Sequence, residues 1–219
     1  MNKSFIALCV ALASGSVMAE RAFDGPYVQL AIGGASTQTE SNYNALGLGN
    51  RNSNEGSFLG QALAGYSKSF DAFNLAGNVF YNIGNQKSGK NSAAATASGY
   101  TGTISQEFTM KNTWGVSLEP GVYFADKSLG YLKLSYYNSQ MNYDVGARLT
   151  GPDINYSSGF NSSKSMNGIG YGLGFKQLFT ENIYGLVEYQ YVQYDTWNDG
   201  PVSYKPNQNY GWIGVGYKF

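Results

Sequence analysis

Three groups of residues in this sequence have types and spacings that suggest chemistry. The run GIGYGLG at 168–174 is rich in glycine, as phosphate-cradling loops are. Asp153, Asp195 and Asp199 are carboxylates in polar stretches where a cation could bind. Glu119, Lys133, Lys176, Glu188 and Lys218 are charges set among apolar residues, where ions persist only when paired. The first two readings weaken on their spacing. The glycines recur at every second position, without the G-x-G-x-x-G pattern or the following helix of a dinucleotide site. The aspartates show no EF-hand or repeat spacing and read as solvated loop residues. The sequence has no histidine, and its single cysteine is Cys9. Ser-His-Asp and Cys-His nucleophiles, carboxylate–His–zinc arrangements and thiolate metal sites are therefore excluded. The expectation is no catalytic residue, no cofactor and no metal.

Composition turns attention to the elements that must hold the charged group. Only 13% of the 219 residues are charged, against roughly 25% in an ordinary soluble domain. Glycine contributes 29 residues and tyrosine 19, and the formal charge is zero, so nothing points to nucleic acid. The start, MNKSFIALCVALASGSVMAE, has a basic Lys3, an apolar stretch from Phe5 to Ala13, and Val17 and Ala19 at the −3 and −1 positions. That is the pattern of a secretory signal peptide over 1–19, with the mature chain beginning at Glu20. The apolar stretch is too short for a membrane-spanning helix, which needs about 20 residues. Losing the leader removes Lys3 and Cys9, so the exported chain has no thiol and no disulfide.

Beyond the leader the dominant signal is alternation with period two, broken by clusters of Gly, Asn, Ser and Asp. On 113–124, Trp114, Val116, Leu118, Pro120, Val122 and Phe124 share one face; Ser117, Glu119 and Tyr123 lie on the other. On 131–136, Leu132, Leu134 and Tyr136 alternate with Tyr131, Lys133 and Ser135. On 168–178, Ile169, Tyr171, Leu173 and Phe175 oppose a row of glycines and Lys176. On 183–191, Ile183, Val187 and Tyr189 oppose Tyr184, Glu188 and Gln190. The last strand sets Ile213, Val215, Tyr217 and Phe219 against Tyr210, Trp212 and Lys218. Further strands fall near 27–35, 58–69 (with ambiguous faces) and 74–84, for a total of eight. Short turns near 71–73, 125–128 and 179–182 alternate with long polar segments at 36–56, 86–112, 138–166 and 195–208, and the stretch AAATASGYTGT at 93–103 reads as a mobile loop tip. This is the signature of an all-β, eight-stranded antiparallel up-and-down transmembrane β-barrel over 20–219.

Physics assigns the faces. A sheet in lipid must close on itself to satisfy its backbone, so the apolar face points to lipid and the Gly/Asn/Gln/Glu/Lys face points inward. Phe70, Phe73, Phe124, Phe179, Tyr191 and Tyr210 are expected in interface girdles. Glu119, Lys133, Lys176, Glu188 and Lys218 then form a lumen charge cluster, with Glu119 and Lys133 on neighbouring strands. A barrel of this size is wide enough only for its own side chains or one small ligand.

The ending GWIGVGYKF with its terminal Phe219, and the segment NIYGLVEYQYVQYD, resemble the opacity-protein/OmpA-like group of small outer-membrane barrels of Gram-negative bacteria. The resemblance implies residence in the outer membrane after export through the secretory pathway. It implies that Ile213, Val215, Tyr217 and Phe219 form an assembly signal read by the outer-membrane assembly machinery. The peptidoglycan-binding module of some relatives is not expected after Phe219. Enzymes among similar barrels, the lipid A deacylases and palmitoyltransferases, rely on an active-site histidine, which is missing here. The resulting expectation is a non-catalytic surface, structural or adhesion-type barrel, a monomer in outer-membrane lipid whose long exposed loops meet a host or envelope ligand. The alternative is a narrow pore or a carrier for small apolar molecules.

Overall fold

A computed structural model describes residues 22–42, 50–199 and 202–219. The proposed leader and the start of the mature chain lie outside these residues. The described chain is antiparallel sheet: β1 (Gly25–Asn42), β2 (Asn50–Phe70), β3 (Phe73–Ile83), β4 (Gln86–Ala97), β5 (Tyr100–Ala125), β6 (Ser128–Gly151), β7 (Ile154–Leu178), β8 (Ile183–Tyr194), β9 (Trp197–Asp199) and β10 (Val202–Lys218). Eight of these form a ring in the order β1-β2-β3-β5-β6-β7-β8-β10. Pairing of β1 with β10, from Tyr27↔Lys218 onward, closes it. The expected eight-stranded up-and-down barrel is the observed fold.

The faces follow the alternation. Leu30, Ile32, Val79, Leu118, Leu132, Leu134, Leu173 and Val215 are exposed on the outside, where lipid lies, while Gln29, Asn78, Ser117, Lys133 and Glu188 are buried inside. The ambiguous strand resolves with Leu59, Gln61 and Leu63 inward. Phe70, Phe73, Phe124 and Phe179 ring the short turns, exposed as a girdle requires. Tyr210 does not join them: it is fully buried in the lumen, on the inward phase of β10.

The long polar segments depart from expectation. Instead of loops at 86–112 and 138–166, the wall continues as sheet far past the 9–11 residues that cross a bilayer: β5 has 26 residues, β6 24 and β7 25. Two tight hairpins carry the ends. Ala97 pairs with Tyr100 across Ser98 and Gly99, both at positive φ (50° and 82°), the two-residue turn that matches strand twist. Gly151 pairs with Ile154 across Pro152 and Asp153. The segment 93–103, expected as a loop tip, is this first hairpin, with Thr96 and Thr101 hydroxyls 3.0 Å apart across it. The physical reason is a second alternation hidden in polar sequence. Val145, Ala147 and Leu149 of β6 share a face with Phe160, Ser158 and Tyr156 of β7, while Asp144, Gly146 and Arg148 point the other way. The bulge at Asn112, whose φ is 51°, marks where β5 exchanges β3 for β4 as its neighbour.

Candidate functional site

The charged residues predicted for the lumen sit at its centre. The register on either side, Leu118↔Leu134 and Gly121↔Tyr131, puts Glu119 of β5 opposite Lys133 of β6. Lys133 Nζ lies 3.3 Å from Glu119 Oε1 and donates to both oxygens of Glu188 on β8, at 3.0 and 2.9 Å. Lys176 of β7 donates to Glu119 Oε2 at 2.6 Å. Its ammonium also lies 4.6 Å from the ring centre of Tyr131 and 4.9 Å from that of Tyr27. All four residues are almost fully buried, none above 5% exposure. Two ammonium and two carboxylate groups thus form a neutral chain in which every charge meets an opposite one. Lys218 shares the inward face but lies toward the periplasmic mouth, beside Phe23, Tyr27 and Tyr184.

The glycine run explains how β6 reaches β8 past the strand between them. On β7, Lys133 stands opposite Gly172 and Tyr131 opposite Gly174. With no side chain there, Lys133 and Tyr131 lie over β7, and the Tyr131 hydroxyl donates to Glu188 Oε2 at 2.8 Å. A Cβ on Gly174 would meet the Tyr131 ring at 2.3 Å. One level up, Tyr137 donates to Gln190 Oε1 at 2.5 Å, and Gln190 Nε2 donates to Ser135 Oγ at 2.6 Å, again across the glycines. The run GIGYGLG is therefore the bare floor on which the lumen network is built.

Above and below, the barrel is filled as well. Toward the outer mouth, Gln208 Nε2 donates to Gln86 Oε1 at 2.7 Å and to Thr37 Oγ1 at 3.0 Å. The Tyr194 hydroxyl donates to Gln208 Oε1 at 3.0 Å, and Tyr210 donates to Gln208 and Gln86. Tyr137, Tyr210 and Trp212 stack beneath this layer, with centroids 5.9 and 5.6 Å apart. At the periplasmic mouth Phe23 packs on Tyr123 and Tyr184, and the carboxylate of Asp24 holds Lys68 Nζ at 2.9 Å and the Ser69 N–H at 2.7 Å. A cavity of about 10 Å³ between Phe23, Tyr27, Lys176 and Lys218 has room for no more than one water. The outer glutamine layer escaped the sequence reading because Gln86 fell in an assumed loop and Tyr210 in an assumed girdle.

Asp153 and Asp195 lie in separate connections. Asp153 caps the β6–β7 hairpin and Asp195 lies between β8 and β9; both are exposed. Asp199 ends β9. Among the described residues no three His, Cys, Asp or Glu gather as a metal site would need.

A closed strand ring with an apolar outside and a polar, filled inside defines an integral membrane β-barrel. The family described as outer membrane protein beta-barrel domain matches residues 5–219, and the chain belongs to it; it is a protein of the bacterial outer membrane. Solved structures of similar shape include Ail, the attachment invasion locus protein of Yersinia pestis (14% identity, 89% of this chain and 99% of that one covered, TM-score 0.43). The outer membrane protease OmpT of Escherichia coli (8%, 92% and 99%, 0.41) and the N-terminal barrel domain of Pseudomonas aeruginosa OprF (15%, 90% and 98%, 0.34) are also similar. Among curated proteins no sequence match is found.

Proposed function

We propose that the protein is a non-catalytic, monomeric surface barrel whose working part is the sheet projecting beyond the membrane. The observation that carries this reading is the contrast between a lumen filled from mouth to mouth and a wall, β4 to β7, that runs on far past the bilayer. The two carboxylates at the centre of the lumen, Glu119 and Glu188, are each engaged by lysine. The projecting hairpins meet the environment, a host or other envelope components. Within the barrel, Ile213, Val215, Tyr217 and Phe219 form the strand by which the assembly machinery takes hold of the chain. Purified barrel in planar bilayers should give no sustained single-channel current. A stable ohmic conductance in the wild type would replace this reading with that of a narrow pore, and saturable uptake of a small apolar solute by vesicles would replace it with a carrier.

A further inference from the structure

Among the described residues, the sheet opens between β7 and β8 above the membrane. β7 and β8 pair from Leu178↔Tyr184 up to Gly168↔Tyr194, and above that level β7 parts from its neighbour. β9 continues along β10, with Tyr204↔Trp197, and not along β7. From Ile154 to Met166, β7 is paired on the β6 side only, among the described residues. The direction of its free hydrogen-bonding groups follows from the last bond of the seam. Asn167 accepts from the Asp195 N–H at 2.8 Å, so its carbonyl points to the β8 side. In an antiparallel strand the N–H and C=O of one residue point the same way and alternate along the chain. The backbones of Asn155, Ser157, Gly159, Asn161, Ser163 and Ser165 therefore face the open seam. Only another extended strand matches such a row, and exposed edges of this kind are usually blocked by lysine, proline or a bulge. Here Lys164 is the single charge in INYSSGFNSSKSM and there is no proline.

The same segment is self-complementary when folded against itself about Phe160. Antiparallel pairing sets Gly159 against Asn161 and Ser157 against Ser163 at the hydrogen-bonded positions, the parity the free backbone demands. On the inner face it sets Phe160 against Phe160, Ser158 against Ser162 and Tyr156 against Lys164. No like charges meet, and an aromatic pair forms at the centre, where side chains of non-hydrogen-bonded positions are closest. Phe160 and Tyr156 are 66% and 63% exposed, so both are available to a partner. Membrane geometry fixes where that partner stands. Two copies in one membrane are related by an axis along the membrane normal, which leaves their β7 strands crossing or parallel. An axis lying between two apposed membranes reverses the strand and makes the pair antiparallel.

We infer that the free edge of β7, centred on Phe160, pairs with the same edge of a second copy anchored in an apposed membrane, joining two outer-membrane surfaces. This rests on the surface reading above, but fails separately from it: a non-conducting barrel whose vesicles never associate retains the first reading and loses this one. The test is to reconstitute the full chain, with Cys9→Ser, into phospholipid vesicles and to follow clustering by light scattering. Wild-type vesicles should cluster, and empty vesicles should not. Asn161→Pro removes an N–H that faces the seam and spares the ladder to β6, since proline is tolerated on an edge. It should abolish clustering while the protein still shows heat-modifiable migration; Ser163→Pro serves the same purpose should the first variant fail to fold. Phe160→Cys should form a disulfide-linked dimer that joins two differently tagged vesicle populations. Failure of wild-type vesicles to cluster, clustering that survives both folded proline variants, or cross-links confined to one vesicle population would each overturn the inference.

Discussion

Inside the membrane and above it, the outward face of the same strands has opposite polarity. On β6, Leu132, Leu134 and Tyr136 point outward to lipid and Lys133 and Ser135 point in. Beyond Tyr143, Asp144 and Arg148 point outward, and Val145 and Leu149 point in. On β7 the outward Ile169 and Leu173 give way to Asn161 and Ser157, and the inward glycines give way to Phe160 and Tyr156. The backbone pattern is continuous; only the medium outside has changed from hydrocarbon to water. Alternation thus sets the strand, and the phase of its apolar residues reports which solvent the outer face meets. The inward face differs as well. In the barrel it is sealed and hydrogen-bonded, whereas in the projecting sheet it leaves aromatic rings uncovered, which fits a contact surface better than a core.

If the lumen network holds the barrel and the projecting sheet is energetically separate, equivalent charge deletions should differ sharply. Lys133→Met strips Glu188 of its ammonium partner inside the barrel and should cost about 3–5 kcal/mol, the usual penalty for orphaning a buried charge. The double variant Lys133→Met/Glu188→Gln should recover part of that loss. Arg148→Met on the outer face of the projection should stay within about 0.5 kcal/mol of wild type. Urea unfolding of barrels in phospholipid vesicles measures all three. A Lys133→Met midpoint equal to that of wild type would mean the central pairs contribute nothing to stability.

Glycines offer a smaller version of the same comparison. At Gly172, in the barrel, a Cβ would lie 2.3 Å from the Tyr189 carbonyl oxygen and 3.0 Å from the Gln190 Cα, both backbone and slow to yield. At Gly159, in the projection, the nearest atom is the Val145 carbonyl oxygen at 3.6 Å, an ordinary contact. Gly172→Ala should therefore cost about 1–3 kcal/mol through overpacking. Gly159→Ala should be within about 0.5 kcal/mol of neutral. The same urea titrations separate them, and equal effects would place the barrel and the projection under one packing constraint.

What could be read in the sequence divides along the same line. The membrane strands were legible because Leu132, Leu134 and Tyr136, or Ile213, Val215 and Tyr217, alternate large apolar residues with polar or small ones. Glu119 and Lys133 followed from two such strands joined by a short turn. The projecting strands were not legible, because Ser, Asn and Gly dominate them and read as loop. Their signal was the weaker spacing of Val145, Ala147 and Leu149, and of Ile154, Tyr156 and Phe160, flanked by the turn pairs Ser98-Gly99 and Pro152-Asp153. Gln190 was legible on the inward phase of its strand, whereas Gln86 and Gln208 were not, because both fall in polar segments that read as loop. Gln86 and Gln208 meet at 2.7 Å from strands far apart in the chain, a contact that only ring closure creates.

A modest change in intrinsic stability, well below that of Lys133→Met, is expected at the seam between the two chain ends, where β1 meets β10. The Phe219 N–H donates to the Pro26 carbonyl at 3.0 Å, adding a last bond to the closing ladder. Its ring stands edge-on to Tyr217, centroids 5.1 Å apart, and is 63% exposed toward the interface. Deleting Phe219 removes one hydrogen bond, worth about 1 kcal/mol, and an aromatic ring at a depth where such rings are favoured. Refolding in detergent should therefore register only a modest drop. In cells the chain must first be captured in an unfolded state, and a terminal aromatic in phase with Ile213, Val215 and Tyr217 is the feature of that end available for capture. The amount of heat-modifiable, folded barrel in the outer membrane should fall well beyond the loss measured in detergent. Matching losses in the two assays would reduce Phe219 to a lipid contact and move the assembly signal elsewhere in the chain.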